Sequence, residues 1–484
     1  MPKKKFYLTT AIPYVNARPH IGHALEYVIA DAIHRYYELQ EANVRIVSGA
    51  DENAIKNVQA AEKADEGVQG FLDKNSGIFA DFYKLLEVDL DEFRRGTDKK
   101  RHWPGVQKLW KLADKAGDIY KKKYKGFYCI GCAEFKTEKD LVDGKCTIHY
   151  VKPEQVEEEN YFFKLSKYQD QLEKLIETDK YRVFPKKRKN EVLSFIKSGL
   201  SDFSISRSND RARGVGVPIP GDKTQKMYVW FDALTIYMTG IGWGYDEKLW
   251  KTWWPADLHI IGKDIIRFHA VYWPAMLLSA GLPLPKALLV HGFIISGGRK
   301  MSKSLGNVVD PYEIVKKYGV EPLRYFLLSQ IPTQDDGDFT IEGFEAIYQA
   351  DLANGLGNLV ARVAGLSKNS KFKIPRPRQA KRGGQSSKLS FSKSVDKHIK
   401  NYQLNSALED IWDQIKKADV IINEKEVWNL TGNEKGGVLS DLVDKIRQIT
   451  IDLKPFLPET AEKIEKQFAG PKIKSGAPLF PRLK

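Results

Sequence analysis

Pro19-His20-Ile21-Gly22-His23 sets two imidazoles three positions apart around a glycine, and Gly297-Gly298-Arg299-Lys300-Met301-Ser302-Lys303-Ser304 sets two lysines on a glycine-led run. Imidazole N–H groups can donate to phosphate oxygens, and a glycine lets a nucleotide approach the backbone closely. Mobile ammonium groups suit a reaction that expels pyrophosphate, because charge gathers on the leaving phosphates and must be met as it forms. Each run alone has an ordinary explanation: helix-capping histidines in one case, a basic surface turn in the other. Together they point to one nucleotide site.

A second group has metal-ligand spacing. Two residues separate Cys129 from Cys132, thirteen more lead to Cys146, and two more to His149; the chain has no other cysteine. Three thiolates and an imidazole suit tetrahedral Zn2+, and four protein ligands leave no open position, so the expected role is structural. The competing explanation is three unmodified thiols beside an unrelated histidine.

The elements that must position these residues follow from the apolar pattern. Short apolar runs near Phe6–Thr10, Val44–Ser48, Leu258–Ile261 and Leu288–Val290 alternate with helical patterns. That predicts an α/β fold, a Rossmann-like parallel sheet with helices on its faces. Leu25, Ile29, Ala32, Ile33 and Tyr36 recur at helical spacing, so a helix starts near His20. Its free N–H groups and positive end favour a phosphate beside the two histidines. The lysine run follows the strand ending at Val290, and open α/β sheets bind ligands at the carboxyl ends of their strands.

Five regions are expected. Residues 1–116 form the first half of the catalytic domain, and 117–213, a Lys/Glu-rich stretch holding the cysteines, an inserted zinc knuckle. Residues 214–295 form the second half, with the sheet pattern resuming at Met227–Val229, and 296–345 carry the lysine loop and its surroundings. From 346 to 484 the chain reads as a helical bundle, with Leu352, Leu356, Leu359 and Val363, then Leu404, Leu408, Ile411 and Ile415, at helical spacing. Ser367–Lys393 has the composition of a solvated linker.

A length of 484 residues allows two to four domains, and a formal charge of +15 favours a polyanionic partner. No stretch approaches the ~18 consecutive apolar residues of a membrane helix. Met1-Pro2-Lys3-Lys4-Lys5 leads into a β-prone run with no signal core or transit helix, so the expected address is the cytoplasm, with no membrane partner.

His20–His23 and Lys300–Ser304 match the HIGH and KMSKS signatures of class I aminoacyl-tRNA synthetases. Four further stretches resemble the methionyl-tRNA synthetase family in particular: residues 10–16 (Thr-Ala-Ile-Pro-Tyr-Val-Asn), 228–234 (Tyr-Val-Trp-Phe-Asp-Ala-Leu), 261–269 (Ile-Gly-Lys-Asp-Ile-Ile-Arg-Phe-His) and 273–276 (Trp-Pro-Ala-Met). The likeness covers nearly the whole chain. It implies a ligase that activates L-methionine with ATP and Mg2+ and esterifies tRNA(Met), initiator included, with a monomer expected ahead of a homodimer. Leucyl, isoleucyl and valyl enzymes carry an editing insertion for which this chain has no room. A cysteinyl enzyme would use zinc to hold the substrate thiol, whereas these ligands lie in the insertion.

The resemblance also implies residue roles. Ile12, Tyr14, Trp230, Ala233, Leu234, Tyr237, Ile265 and His269 would line the methionine pocket, and Asp51 would hold the α-ammonium. An unbranched thioether suits an apolar slot with aromatic walls, and Tyr237 and His269 could place a weak hydrogen bond on its sulfur. His20, Gly22, His23, Gly262, Asp264, Lys300 and Lys303 would contact ATP, with His20, His23, Lys300 and Lys303 catalytic, and Arg207 would approach the carboxylate or phosphate. In the helical bundle Asn358, Arg362 and Trp428 would read the anticodon. Two positions depart from the family pattern: Asn53 stands where many relatives have histidine, and Val427 where the usual residue is proline.

Overall fold

The first strand, Lys5–Thr9 (β1), buries Tyr7 and Leu8 completely, on opposite faces, as a strand covered on both sides by helices must. The computed structural model describes residues 4–130, 134–136, 141–147, 150–300, 309–368 and 389–483. β1 pairs in parallel with β2 (Asn43–Ala50), which pairs with β3 (Glu92–Arg95). On its other side lies β5 (Leu258–Gly262), then β6 (Ala287–His291) and β4 (Arg182–Phe184), also parallel. The order is β3-β2-β1-β5-β6-β4. The chain leaves β1 in one direction and returns to its other side at β5, which opens a crevice beyond the carboxyl ends of β1 and β5.

All four expected strands are present, and two more flank them. β4 lies inside the stretch expected to be an insertion, so that stretch sends one strand back to the central sheet. The rest of it is dominated by a long antiparallel pair, Ile119–Cys129 with Glu154–Phe163, in which Lys123 and Lys125 stand opposite Glu159 and Glu157. The structure corrects the expected return to the sheet at Met227–Val229. Asp222–Met227 pairs antiparallel with Ser206–Ser208 and Pro218–Ile219, and Val229 starts a short helix, Val229–Ala233. A short, fully buried apolar run has the same composition on a strand or a helix, so periodicity does not separate them.

Helix α1 (Ile21–Leu39) follows β1 and covers the sheet. After β6, helix α2 (Val320–Ser329) leads to α3 (Asn358–Lys368), α4 (Leu404–Glu424), α5 (Gly432–Leu453) and α6 (Pro458–Gln467). The leucines that set the helical spacing, Leu352, Leu356, Leu359, Leu404 and Leu408, are buried in one core with the catalytic half. Residues 348–357 form a π-helical segment before α3. Most of the expected linker, 369–388, lies outside the described residues; Lys393 already begins a helix. Arg324 of α2 joins the two halves. It is completely buried, and donates to Asp31 of α1 (2.5 Å), the Leu86 carbonyl (3.2 Å) and the Phe456 carbonyl between α5 and α6 (3.1 Å).

Candidate active site

His20 is the N-cap of α1, in extended conformation. Its Nδ1 accepts the Gly22 N–H (3.1 Å), and the His23 Nδ1 accepts the His20 N–H (3.1 Å), a reciprocal capping box made of imidazoles. Each Nδ1 is therefore an acceptor, which puts the proton of each neutral ring on Nε2. Desolvation lowers the pKa of both rings, that of His23 well below its ordinary value with the His20 and His291 charges adding to the effect. Capping and phosphate binding are thus compatible. The caps fix the rings, 4.0 Å apart, as neutral Nε2–H donors at the positive end of a helix. A Cβ at Gly22 would stand 2.9 Å from His20 Cε1, because that ring folds back over the glycine.

At the ends of the neighbouring strands, Gly262 closes β5, and Asp264 lies in the turn after it. The Asp264 charge reaches His20, whose pKa it raises against desolvation. Two residues that no sequence motif marks support this floor. His291, at the end of β6, points Nε2 at a Glu26 carboxylate oxygen (2.9 Å) and Nδ1 at the Gly292 carbonyl (2.8 Å). Both partners are acceptors, so both nitrogens donate and the ring is an imidazolium. Burial, the largest single effect, lowers its pKa, but the Glu26 carboxylate, the Gly292 carbonyl and the Asp264 charge together outweigh it and raise the pKa. The other Glu26 oxygen accepts the Ala11 N–H (2.7 Å), tying the loop after β1 to α1.

That loop carries Ile12 and Tyr14, and it is pinned beside the end of β2 by the Asp51 N–H bonded to the Pro13 carbonyl (2.9 Å). Opposite it, Trp230, Ala233, Leu234, Tyr237 and His269 are buried together, with Ile265 partly exposed. Tyr14 meets the edge of Trp230 at 6.3 Å between centroids, and Trp230 stacks on Phe268 at 3.8 Å. Phe268 is missing from the expected pocket; its adjacency to His269 is the one signal in the sequence that could have found it. His269 Nδ1 faces the Ile265 carbonyl (3.0 Å), which can only accept, and its Nε2 faces the Tyr237 hydroxyl (2.7 Å). Burial pulls the His269 pKa down to about 4, so the ring is neutral with its single proton on Nδ1. Tyr237 then donates to Nε2. In this network the Tyr237 hydroxyl proton points to His269 Nε2 and the His269 proton to the Ile265 carbonyl.

Asp51 closes the polar end. Its carboxyl is buried and held well above the usual carboxylate range, first by burial and then by the charge of Asp232, with Lys56 opposing. Asn53 donates its amide to Asp232 (2.5 Å) and to the Gly96 carbonyl (3.0 Å), so the departure from histidine leaves a neutral donor under this end. Arg207 lies over the Tyr128 ring of the insertion (4.1 Å) and the Tyr228 ring (5.0 Å).

The lysine run begins on a hairpin, Ile294–Ser296 paired with Arg299–Lys300, whose turn residues Gly297 and Gly298 both have positive φ. Lys303 and the side chain of Lys300 lie outside the described residues. So do Cys132 and His149; Cys129 and Cys146 are both fully buried and not disulfide-bonded. Asp143-Gly144, both at positive φ, turn the hairpin that ends at Cys146. Among the described residues no group of three or more His, Cys, Asp or Glu could hold a metal, and no helix is long and apolar enough to cross a membrane. At the far end of the chain, Asn358 starts α3 and Arg362, one turn on, pairs with Asp419 and donates to Asn423 of α4 (2.7 Å). Trp428, just beyond α4, is 49% exposed.

Comparison with known proteins agrees with this arrangement. The family model described as tRNA synthetases class I (M) matches residues 6–146 and 136–364. The methionine–tRNA ligase of Clostridium acetobutylicum is 41% identical over 99% of this chain and 78% of its own length. That of Brucella suis is 38% identical over 100% and 98%. Among solved structures, Mycobacterium tuberculosis methionyl-tRNA synthetase in complex with methionyl-adenylate superposes with a TM-score of 0.89 at 36% identity, covering 99% of this chain and all of that one. A crevice at the switch point of a parallel sheet, an aromatic pocket ending in a carboxylate and relatives matched over their length lead to one statement: the chain belongs to the class I methionyl-tRNA synthetase family.

Proposed function

We infer that this protein is a methionine–tRNA ligase that forms methionyl-adenylate from L-methionine and ATP and then charges tRNA(Met), the initiator species included. The observation that carries the reading is the convergence, at the carboxyl ends of the interior parallel strands, of the Trp230–Tyr237–His269 pocket, the buried Asp51 and the capped His20–His23 pair. In the first step a methionine carboxylate oxygen attacks the ATP α-phosphorus in line, forming the acyl phosphate bond as the bond to pyrophosphate breaks. A hydroxyl of the terminal tRNA ribose then attacks the acyl carbon and AMP leaves. No side chain needs to act as nucleophile, so rate comes from positioning and charge stabilisation.

Ile12, Tyr14, Trp230, Ala233, Leu234, Tyr237, Ile265 and His269 enclose the thioether, and Asp51 takes the α-ammonium. Gly262 and Asp264 take the ribose, His20 and His23 the phosphates with Gly22 between them, and Lys300 and Lys303 the departing pyrophosphate. Mg2+ accompanies ATP and neutralises phosphate charge. In the bundle, Asn358, Arg362 and Trp428 read the anticodon. The division at 117, 214, 296 and 346 is proposed as the domain plan, with the strand at 182–184 shared between insertion and sheet, and the protein is proposed to work as a cytoplasmic monomer. The test is amino-acid-dependent ATP–pyrophosphate exchange across all twenty amino acids: methionine is expected to drive it best, and any other leader overturns the assignment.

Cys129, Cys132, Cys146 and His149 would hold one structural Zn2+, a reading supported by the buried Cys129 and Cys146 thiols and by the donor set. Metal analysis of purified protein is expected to find one zinc per chain, and to lose it in the Cys129→Ser, Cys132→Ser double variant. Zinc absent from the wild type, or retained in the variant, counts against the site. The metal acts on folding of the insertion more than on exchange activity.

A further inference from the structure

The Asp51 end of the pocket contains a second buried carboxylate. Asp232, on the helix Val229–Ala233, is 2% exposed, and both of its oxygens are engaged. Oδ2 accepts the Asn53 amide (2.5 Å), two residues beyond Asp51, and Oδ1 accepts His102 Nε2 (2.5 Å). His102 is completely buried, and its Nδ1 meets the Thr239 hydroxyl (2.8 Å), which can donate to it. His102 can therefore donate from Nε2 to Asp232 while accepting at Nδ1, which fixes the orientation of the carboxylate. Asn53 also bonds the Gly96 carbonyl, so one of the two side chains that hold Asp232 is itself tied to a further chain segment.

Two like charges in a dry site are costly unless a cation joins them. The other charged groups acting on Asp51 are Lys56, whose ammonium lies over the Tyr14 ring at 3.1 Å, and Glu52, which is itself paired with Arg95 (2.7 Å). We propose that Asp232, clamped by Asn53 and His102, is a positioning residue for methionine: it acts through Asp51 to make the site demand a charged α-ammonium and to reject ligands that lack one. The proposal rests on the reading of Asp51 as the ammonium site. Its consequence for pH follows from the sign of the interaction. A neighbouring negative charge raises the proton affinity of Asp51, adding to burial, so methionine binding weakens as the pH falls through that raised pKa. Removing the Asp232 charge moves the acid limb to lower pH, and at the same time weakens attraction for the ammonium where Asp51 is ionised.

The experiment compares wild type, Asp51→Asn and Asp232→Asn in methionine-dependent pyrophosphate exchange from pH 5.5 to 8.5. Inhibition by 4-(methylthio)butanoate, methionine without its amine, is measured alongside. For Asp232→Asn the methionine KM is expected to rise about tenfold at pH 8, the size of one pKa unit of interaction. The defect should shrink as the pH falls, and inhibition by the amine-free analogue should be unchanged or tighter. Parallel weakening of both ligands, or no change in either, overturns the proposal, because a merely structural carboxylate would not distinguish them. If Asp51→Asn also leaves methionine binding intact, the ammonium reading falls; if Asp51→Asn is impaired and Asp232→Asn is not, only the role of Asp232 falls. Should Asp232→Asn not fold, Asn53→Ala removes one of the donors that hold Asp232 and is compared in the same way: selective weakening of methionine supports the clamp, and parallel weakening of both ligands, or no change in either, overturns it.

Discussion

Replacing Lys303 with alanine is expected to slow methionyl-adenylate formation by roughly 10²–10³, the size seen when one preorganised contact to transition-state charge is lost. Methionine affinity should change little. As the α-phosphorus takes on its new bond, negative charge moves onto the departing pyrophosphate, and a cation that meets it there is worth more in the transition state than in the ground state. The hairpin that leads into the run is well placed to deliver one. Its strand Ile294–Ser296 pairs in parallel with Gly337–Asp338, and the Gly298 N–H bonds an Asp338 carboxylate oxygen (3.1 Å), so the root of the run is fixed beside the end of β6. Gly297 and Gly298 are required there because both turn residues have positive φ, 61° and 72°, as a two-residue hairpin of this hand demands. Single-turnover rates of adenylate formation, with methionine affinity measured separately, make the test. A strong loss of affinity with the rate preserved would make Lys303 a ground-state binding residue and the mechanism wrong.

What is legible in the sequence depends on whether the signal is local. β1, β2, β5 and β6 are interior strands buried on both faces, so each appears as an apolar run. β3 and β4 are the two edge strands, and their sequences, Glu92-Phe93-Arg94-Arg95 and Arg182-Val183-Phe184, carry charges that an edge tolerates and that hide a strand from a search for apolar runs. The same division runs through the site. His20 and His23 are readable because a glycine between two histidines at a helix start is a local pattern. Glu26 with His291, and Asp232 with His102, are not readable, because the partners lie 265 and 130 residues apart and only the fold brings them together. Hydrogen-bond direction is equally invisible in a sequence. Tyr237 and His269 are residue types that could donate to a sulfur, and only the Ile265 carbonyl beneath His269 reveals where their protons point.

Replacing Trp428 with alanine separates RNA recognition from amino-acid activation. The indole is 49% exposed, while its neighbour Val427 is fully buried and packed in the core with α4, so the valine anchors the turn and the tryptophan is presented outward. Five residues earlier Asn423 accepts from Arg362, which puts the turn and the α3 face carrying Asn358 and Arg362 on the same side of the bundle. An exposed aromatic beside hydrogen-bonding side chains suits a single-stranded base, which is held by stacking and read at its edge. Trp428→Ala should then cost about 1–3 kcal/mol of RNA interaction, roughly 5- to 150-fold in kcat/KM for tRNA. Changing the CAU anticodon should produce a matching loss in the wild type. Pyrophosphate exchange, which needs no tRNA, should stay near wild type, and the melting temperature should hardly move, since half of the side chain already faces water. A core tryptophan would behave otherwise: its truncation costs about 3–5 kcal/mol of stability and depresses both activities together. Exchange, aminoacylation and melting temperature measured on this one variant therefore decide the assignment, and a parallel loss of both activities with a lowered melting temperature would overturn it.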